Sequence, residues 1–530
     1  MIKKLFIQNY KIFNNFTLHL NDDLNIIVGN NEAGKSTILE AVNLALTKKV
    51  NGRPIETELS SFYFNKTSVS NYLQLLKSGG NPELPKIIIE LYLSDNPAFA
   101  ELKGANNKDK VSDVGIKLEI VFNEEYKDEY AKIIAEKEHL KTIPAEYYKI
   151  NWYSFAGGTI TPQNIPINCS YIDATTIRLQ SGADYYLHNI INNSLDVKEK
   201  VGLAIAYRKL KEEFSEQPSI KGINDKLTQK KGAITDKGLA ISIDVSQKSN
   251  WESNLIPHLD ELPFQFIGKG EQSALKIMIA LERKADDSHV ILVEEPENHL
   301  SFSSMNKLID KIVEKCVGKQ IVASTHSAYV LNKLGVEKVI LLDGDKALFL
   351  NKLPLDTQNY FKKLSGYDTL RLILADKSIL VEGPSDELIV QKAYRMKYGK
   401  LPIQLGVDVI NVRGLSFARF LDIARELNKN IIVVTDNDGD YENKVTKKYE
   451  KYKEFTNIKI CADQNNLLNT IEPQIAACNE VSLLNKVFGT KYGTVEAIIE
   501  YMINNKTECA LNIFETNEPI KMPGYLYDTL

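Results

Sequence analysis

An apolar run that stops on alternating carboxylates, IIVVTDNDGD at residues 431–440, sets Asp436, Asp438 and Asp440 close together with Asn437 and Gly439 between them. Such a cluster either makes a polar turn after a buried strand or holds a cation. A calcium loop is excluded, because position six counted from Asp436 is Tyr441 where glycine is required, and position twelve is Lys447 where glutamate is required. Two strands earlier ILVEGPSDE ends a second apolar run in Glu382, followed by Asp386 and Glu387. Parallel strands of an open sheet deliver their C-terminal ends to one edge, so Glu382 can meet Asp436 and Asp438 there. Carboxylates gathered in this way repel one another unless a divalent cation neutralises them, and an all-oxygen set suits Mg2+ or Mn2+. Ions so held can activate a bound water.

A second chemistry stands near the N-terminus. GNNEAGKST, residues Gly29, Asn30, Asn31, Glu32, Ala33, Gly34, Lys35, Ser36 and Thr37, has the Gly, four residues, Gly-Lys-Ser spacing of a phosphate-binding loop. The glycines let backbone N–H groups approach the phosphates of ATP, Lys35 reaches the outer phosphates, and the Ser36 hydroxyl ligates Mg2+. HVILVEEPENHL supplies Glu294 for that metal and Glu295 to orient water. QIVASTHS puts His326 just past another apolar strand, where an imidazole could meet a γ-phosphate, although a lone His is more often a packing or surface residue. Ahead of the acidic strand, FIGKGEQSALKIMIAL offers Gly268 and Gly270 before a helix, a further set of free N–H groups for a phosphate, or else an ordinary helix cap.

The elements that must position these residues are legible from periodicity. LNIIVG, the loop and STILEAVNLAL read as strand, loop and helix, while KIIIELYLSD and VGIKLEIVFN read as further strands. EEYKDEYAKIIAEKEHLK reads as a charged helix. From 184 to 263 the pattern turns polar and helical, with LAISIDV as one strand-like piece, and we read an insertion that carries an interaction or dimerisation surface. HVILVEE, KQIVAST and EKVILLD return to strand, which divides the ATP-binding part into 1–183 and 264–350. Residues 351–375 lack strong periodicity and read as a linker. From 376 to 530, SILVEG, VDVINV and IIVVT alternate with helical patterns as a small parallel α/β domain. The fold class is α/β.

The composition, 43% hydrophobic and 25% charged over 530 residues, is ordinary for a globular chain of two or more domains. A net charge of −4 gives no global basic field, so nucleic acid has to be met by local patches. One such patch is KVTKKYEKYKEF, where lysines interleave with Tyr449 and Tyr452; a solvated helix explains it equally well. Five scattered cysteines without a CxxC pair speak against a zinc site and fit a reducing, cytoplasmic setting. No signal sequence or membrane span is expected.

The ordered set of P-loop, GKGEQ, EEPE and STHS resembles ATP-binding-cassette ATPases of the chromosome-maintenance and recombination-repair type. The resemblance implies a homodimer or higher homo-oligomer, with the GKGEQ segment of one protomer closing on ATP held by another. A strand ending in EG followed by one ending in DxD resembles the Toprim domain, and the fusion resembles the OLD (overcoming lysogenization defect) nucleases, close to the nuclease subunit of the Gabija anti-phage system. That resemblance implies an ABC-type P-loop ATPase with a helical insertion followed by a Rossmann-like Toprim domain. It implies a DNA endonuclease with Glu382, Asp386, Asp436 and Asp438 as metal ligands, Glu472 in NTIEPQIAA as a further acid, and Lys506 in INNKTECAL as the catalytic lysine. It also suggests a separate helicase subunit as partner. Asn9-Tyr10-Lys11 stands where related ATPases often have Asn-Phe-Arg, and the stretch after Glu472 lacks a second expected acid. A DNA-organising or sensing ATPase with a non-cleaving Toprim domain is the alternative. A topoisomerase is disfavoured, since nothing singles out a nucleophile among 25 tyrosines.

Overall fold

A computed structural model of the chain describes residues 1–135, 141–173, 179–180, 183–184, 195–229, 239–243, 258–281, 289–315, 318–364, 368–414 and 416–530. The chain forms two compact units, Met1–Asn25 with Ser36–Ser324 and Ile26–Lys35 with Thr325–Leu530.

In the first unit the alternating N-terminal segments pair as expected. Ile2–Tyr10 lies antiparallel between Phe13–His19 and Ile87–Leu93, and Asp113–Phe122 and Tyr148–Ser154 extend the same sheet. Leu5, Ile7, Ile89, Leu91, Ile116 and Leu118 are buried on it. A second, parallel ladder joins Asn168–Asp173, His289–Glu294 and Lys319–Ser324, with Asp173 opposite Glu294 and Glu294 opposite Ser324. Near-continuous apolar runs such as VILV are what a parallel strand covered on both faces demands. Helices Val197–Glu216 and Pro218–Thr228 occupy the described part of the polar segment. The first begins at a reciprocal cap: the Glu199 N–H donates to Asp196 and the Asp196 N–H to Glu199, both at 2.8 Å. LAISIDV is not a strand over its described residues 239–243. Instead the Asn224 amide takes both backbone groups of Ile241, accepting at 2.7 Å and donating at 3.1 Å. The rest of that stretch, and the end of the EEYKDEY helix beyond Ala135, lie outside the described residues.

In the second unit Ile26–Gly29 runs parallel to Val339–Asp343, which turns back antiparallel onto Lys346–Phe349. The C-terminal sheet is four parallel strands in the order Val407–Asn411, Lys377–Val381, Asn430–Val434, Ile458–Cys461. Its first strand in sequence is internal, so the chain leaves to one side and returns on the other. The crevice between Lys377–Val381 and Asn430–Val434 is the switch point at which an open α/β sheet binds its ligand. Ile379, Val381, Ile389, Val390, Ile432, Val434, Ile475 and Met502 share its core.

Residues 351–375, expected as a linker, are folded where described. Leu355–Lys363 and Thr369–Leu374 are helices of nine and six residues that bury Phe361, Leu372 and Ile373. Helices of this length complete too few turns to display a period. Among the described residues no helix is long and apolar enough to cross a membrane.

Candidate functional site

The strand Lys377–Val381 ends in Glu382, and Pro384 at the first helical position starts the helix Pro384–Tyr398 directly behind it. Asp386 caps that helix, its carboxylate accepting the Gly383 N–H at 3.0 Å. On the neighbouring strand the Thr435 hydroxyl and the Asp436 N–H both donate to Glu382 Oε1, at 2.6 and 3.2 Å. Glu472, in the first turn of the helix Ile471–Cys478, is buried and accepts from Thr470 at 2.6 Å. Lys506, at the start of the helix Lys506–Glu515, stands 3.4 Å from Glu472 with 48% of its side chain exposed.

These groups act on one another. Burial raises the Asp436 carboxyl from 3.8 to about 8, reinforced by Asp386, Glu382 and Glu472 and opposed by Lys506. Burial raises Asp386 to about 6, reinforced by Glu382 and Glu472 and opposed by the Gly383 N–H and Lys506. Glu382 also belongs to a second set, since it and Asp438 together act on Lys448 and Tyr449. The sequence-derived residues Glu382, Asp386, Asp436, Glu472 and Lys506 therefore share one centre, whereas Asp438 is exposed and shares with Glu382 only the influence on Lys448 and Tyr449.

Among the described residues no three Asp, Glu, His or Cys side chains are already closed into a cage for an ion. The donor set itself, carboxylate oxygens on short loops at a sheet edge, fits a hard divalent cation.

The acidic turn is built around Asn437, which is fully buried. Its amide donates to Asp463 O, Asn465 O and Leu468 O at 2.8, 3.0 and 3.3 Å, and its oxygen accepts the Gly439 N–H at 2.8 Å. Asp438 and Gly439 both take positive φ, 48° and 80°, which turns the chain sharply enough to separate the two flanking carboxylates. Asp440 caps the next turn, accepting from the Asn443 backbone at 3.1 Å and its amide at 2.6 Å; these bonds lower its pKa. The lysine and tyrosine stretch divides sharply. Lys444, Lys447 and Lys451 are exposed, whereas Tyr449 and Tyr452 are buried, so the aromatic rings are not a stacking platform.

The nucleotide residues fall in both units. In the first, the Ser36 hydroxyl donates to Glu294, whose other oxygen accepts from Tyr171 at 2.7 Å. Glu295 sits at φ 47°, its N–H on Ser324 O at 3.0 Å and its carboxylate held by Asn298 at 2.5 Å. Gly268 precedes the helix Lys269–Leu281 in open space, but a Cβ on Gly270 would lie 2.1 Å from His299 O. In the second unit, Lys35 is buried and donates to Gly29 O and Asn30 O at 2.9 and 3.1 Å. Gly34 takes φ 94°, and Gly29 leaves no room for a Cβ, with Ala33 Cβ at 2.9 Å. His326 is exposed just before Ser327, which caps the helix Ala328–Leu334.

Thr435, Tyr171 and Asn298 escape sequence reasoning because each acts by orienting a carboxylate, and Asn437 because it acts by clamping backbone groups of the turn. An Asn between two aspartates was the only available signal.

Residues 1–331 match the family described as AAA ATPase domain, and residues 373–438 match the Overcoming lysogenization defect protein-like TOPRIM domain. The chain is 22% identical over 467 residues to Endonuclease GajA of Bacillus cereus (strain VD045), covering 82% of this chain and 74% of that protein. It is 23% identical over 349 residues to an ATP/GTP phosphatase of Helicobacter pylori (strain ATCC 700392 / 26695), covering 62% and 85%. Among solved structures, an Smc head bound to the C-terminal winged-helix domain of ScpA aligns with 66% of this chain and 99% of that one, at 14% identity and a TM-score of 0.35. The C-terminal region of the Burkholderia pseudomallei OLD protein aligns with 29% and 93%, at 17% identity and a TM-score of 0.23.

Proposed function

The chain belongs to the AAA ATPase domain family, and from that premise we propose that it is a nucleotide-regulated, divalent-metal-dependent DNA endonuclease. The observation that carries this reading is the burial of Asp436 among Asp386, Glu382 and Glu472 at the switch point of a parallel sheet. A carboxyl kept protonated to about pH 8 in a solvent-edge crevice is a group made for a cation. The name of the Bacillus cereus relative, an endonuclease, agrees with it.

Glu382, Asp386, Asp436, Asp438 and Glu472 would hold Mg2+ or Mn2+, which supplies an activated water and neutralises charge at phosphorus. The chain's own groups do the orienting. Thr435 and the Asp436 N–H fix one oxygen of Glu382, the Gly383 N–H fixes Asp386, and Thr470 fixes Glu472. Lys506 holds its ammonium against Glu472 while half exposed, and its charge would stabilise an oxyanion leaving from bound DNA. In the ATPase part, the Ser36 to Glu294 hydrogen bond brings together the two groups assigned to the nucleotide's Mg2+, and Asn298 orients Glu295 for water. A cytoplasmic anti-phage role, a homodimeric or larger assembly and a separate helicase partner rest on the resemblance of the motifs.

Cleavage of defined plasmid and linear DNA with and without ATP tests the reading. Asp436→Ala is expected to abolish Mg2+- or Mn2+-dependent cutting while ATP turnover persists, and Glu295→Gln to suppress ATP turnover and change the nucleotide response of cutting. Cutting that survives Asp436→Ala overturns the assignment. No cutting by the wild type in either metal, with DNA-stimulated ATP turnover retained, favours the DNA-organising ATPase.

A further inference from the structure

The acidic turn is received by the loop over residues 463–470. Asn437 donates to Asp463 O, Asn465 O and Leu468 O, the Asp438 N–H donates to Asn469 O at 3.2 Å, and the Tyr441 N–H donates to Asn466 Oδ1 at 2.9 Å. The same loop runs straight into the helix Ile471–Cys478, at whose start Thr470 holds Glu472 at 2.6 Å. Whatever fixes this loop therefore fixes the separation between the turn that carries Asp436 and Asp438 and the helix that carries Glu472.

Gln474 is the side chain placed to do so. It is 1% exposed, in a helix whose other buried residues are Ile471, Glu472, Pro473, Ile475 and Ala476. A buried amide is costly to leave unpaired, and this one is paired at both ends. Its nitrogen donates to Leu468 O at 3.0 Å, and its oxygen accepts the Tyr525 hydroxyl at 2.8 Å. A carbonyl cannot donate, so Leu468 O decides which end of the amide faces it. Tyr525 stands on the helix Gly524–Thr529 and packs against the core that holds Ile475 and Met502. Leu468 O accepts twice, from Asn437 at 3.3 Å and from Gln474 at 3.0 Å, which occupies both of its lone pairs. One carbonyl thus joins the acidic turn to the Glu472 helix. We propose that Gln474 is a positioning residue of the metal centre, holding the acidic turn at a set distance from Glu472 through Leu468 O, with Tyr525 fixing its amide. Groups behind metal ligands act in this way, by keeping the ligands where the ion needs them. The inference rests on the metal-dependent reading above and extends it to two residues outside the ligand set.

The test is thermal denaturation of the full chain titrated with Mn2+ and with Mg2+, alongside cleavage rates at each metal concentration. Gln474→Met keeps the length of the side chain and removes both of its hydrogen bonds, while Tyr525→Phe keeps the ring and removes only the hydroxyl. In Gln474→Met the metal concentration giving half the stabilisation is expected to rise about tenfold, and half-maximal cleavage to shift with it. Saturating metal is expected to restore most of the wild-type cleavage rate, because the ligands themselves are intact. Tyr525→Phe is expected to shift the midpoint in the same direction and by less. A lower metal-free melting temperature with an unchanged metal midpoint in Gln474→Met means that the residue only packs, and overturns the proposal. Should Gln474→Met not fold, Tyr525→Phe decides: a raised midpoint supports the proposal and a wild-type midpoint overturns it. Asp436→Ala separates this failure from that of the wider reading. With no metal-induced rise in Asp436→Ala the centre stands whatever Gln474 does, whereas a normal rise in that variant, or none in the wild type, overturns the metal centre itself.

Discussion

At the residue scale, Asp436 carries two demands that conflict without a cation. It has to be buried to define the crevice, and it has to be ionised to bind metal. With its carboxyl raised from 3.8 to about 8, the folded chain holds this proton more tightly than the unfolded one does. Its contribution to the stability of the metal-free protein is therefore fully present below 3.8, falls as pH rises through the interval up to about 8, and is lost above it. Asp386, raised to about 6, steepens the lower part of the same interval. Asp436→Asn removes the larger contribution, so in EDTA its melting temperature is expected to exceed the wild type's at pH 8 and to fall less between pH 5 and pH 8. Mg2+ is expected to flatten the wild-type profile and leave that of Asp436→Asn unchanged. Parallel profiles for the two proteins in EDTA would show that Asp436 is not protonated in the fold. The sequence made the carboxylates visible as strand ends, but not the protonation, which depends first on how deeply the fold buries Asp436 and then on Asp386, Glu382 and, from a helix far along the chain, Glu472.

At the element scale, what periodicity could read was what repeats. The strand, loop and helix around GNNEAGKST and the alternation of SILVEG, VDVINV and IIVVT are elements long enough to show a pattern, and they stand where expected. The helices at 355–363 and 369–374 are too short for that, and the Tyr449 and Tyr452 rings were ambiguous because lysines surround them in sequence while the fold turns them inward. The two glycines of GKGEQ looked alike in sequence and differ in the fold. Gly270 starts its helix pressed against His299 O, directly after the acidic Glu294–Glu295 pair, whereas Gly268 faces open space. Gly270→Ala is expected to displace the 295–299 loop, lowering both the melting temperature and ATP turnover. Gly268→Ala is expected to leave the melting temperature unchanged, and a loss of ATP turnover in that variant alone would report a phosphate approaching the backbone at Gly268. Equal melting temperatures for the two variants would contradict the close contact at Gly270.

At the scale of the whole molecule, a net charge of −4 means that DNA is met against the average field, so attraction has to be local and steeply dependent on salt. The stretch from Lys444 to Lys453 follows directly on the acidic turn and exposes Lys444, Lys447 and Lys451, while its tyrosines serve the core. Contacts from such a surface go to phosphates and carry no base preference. Lys447 donates to Asn443 at 3.0 Å, an exposed contact that exchanges readily for a phosphate, and Lys451, itself exposed, lies 3.7 Å from the buried Asp422. Each phosphate neutralised contributes about 0.9 to the slope of log affinity against log salt on duplex DNA. Combining Lys444→Ala, Lys447→Ala and Lys451→Ala is thus expected to reduce that slope by about 2–3, uniformly across sequences, in anisotropy titrations of labelled duplexes over a range of KCl concentrations. The metal-induced rise in melting temperature should be untouched, because none of the three belongs to the acid centre. A slope that does not change would place the DNA track elsewhere on the chain, whereas a loss confined to some sequences would mean that these lysines read bases and do more than hold the backbone.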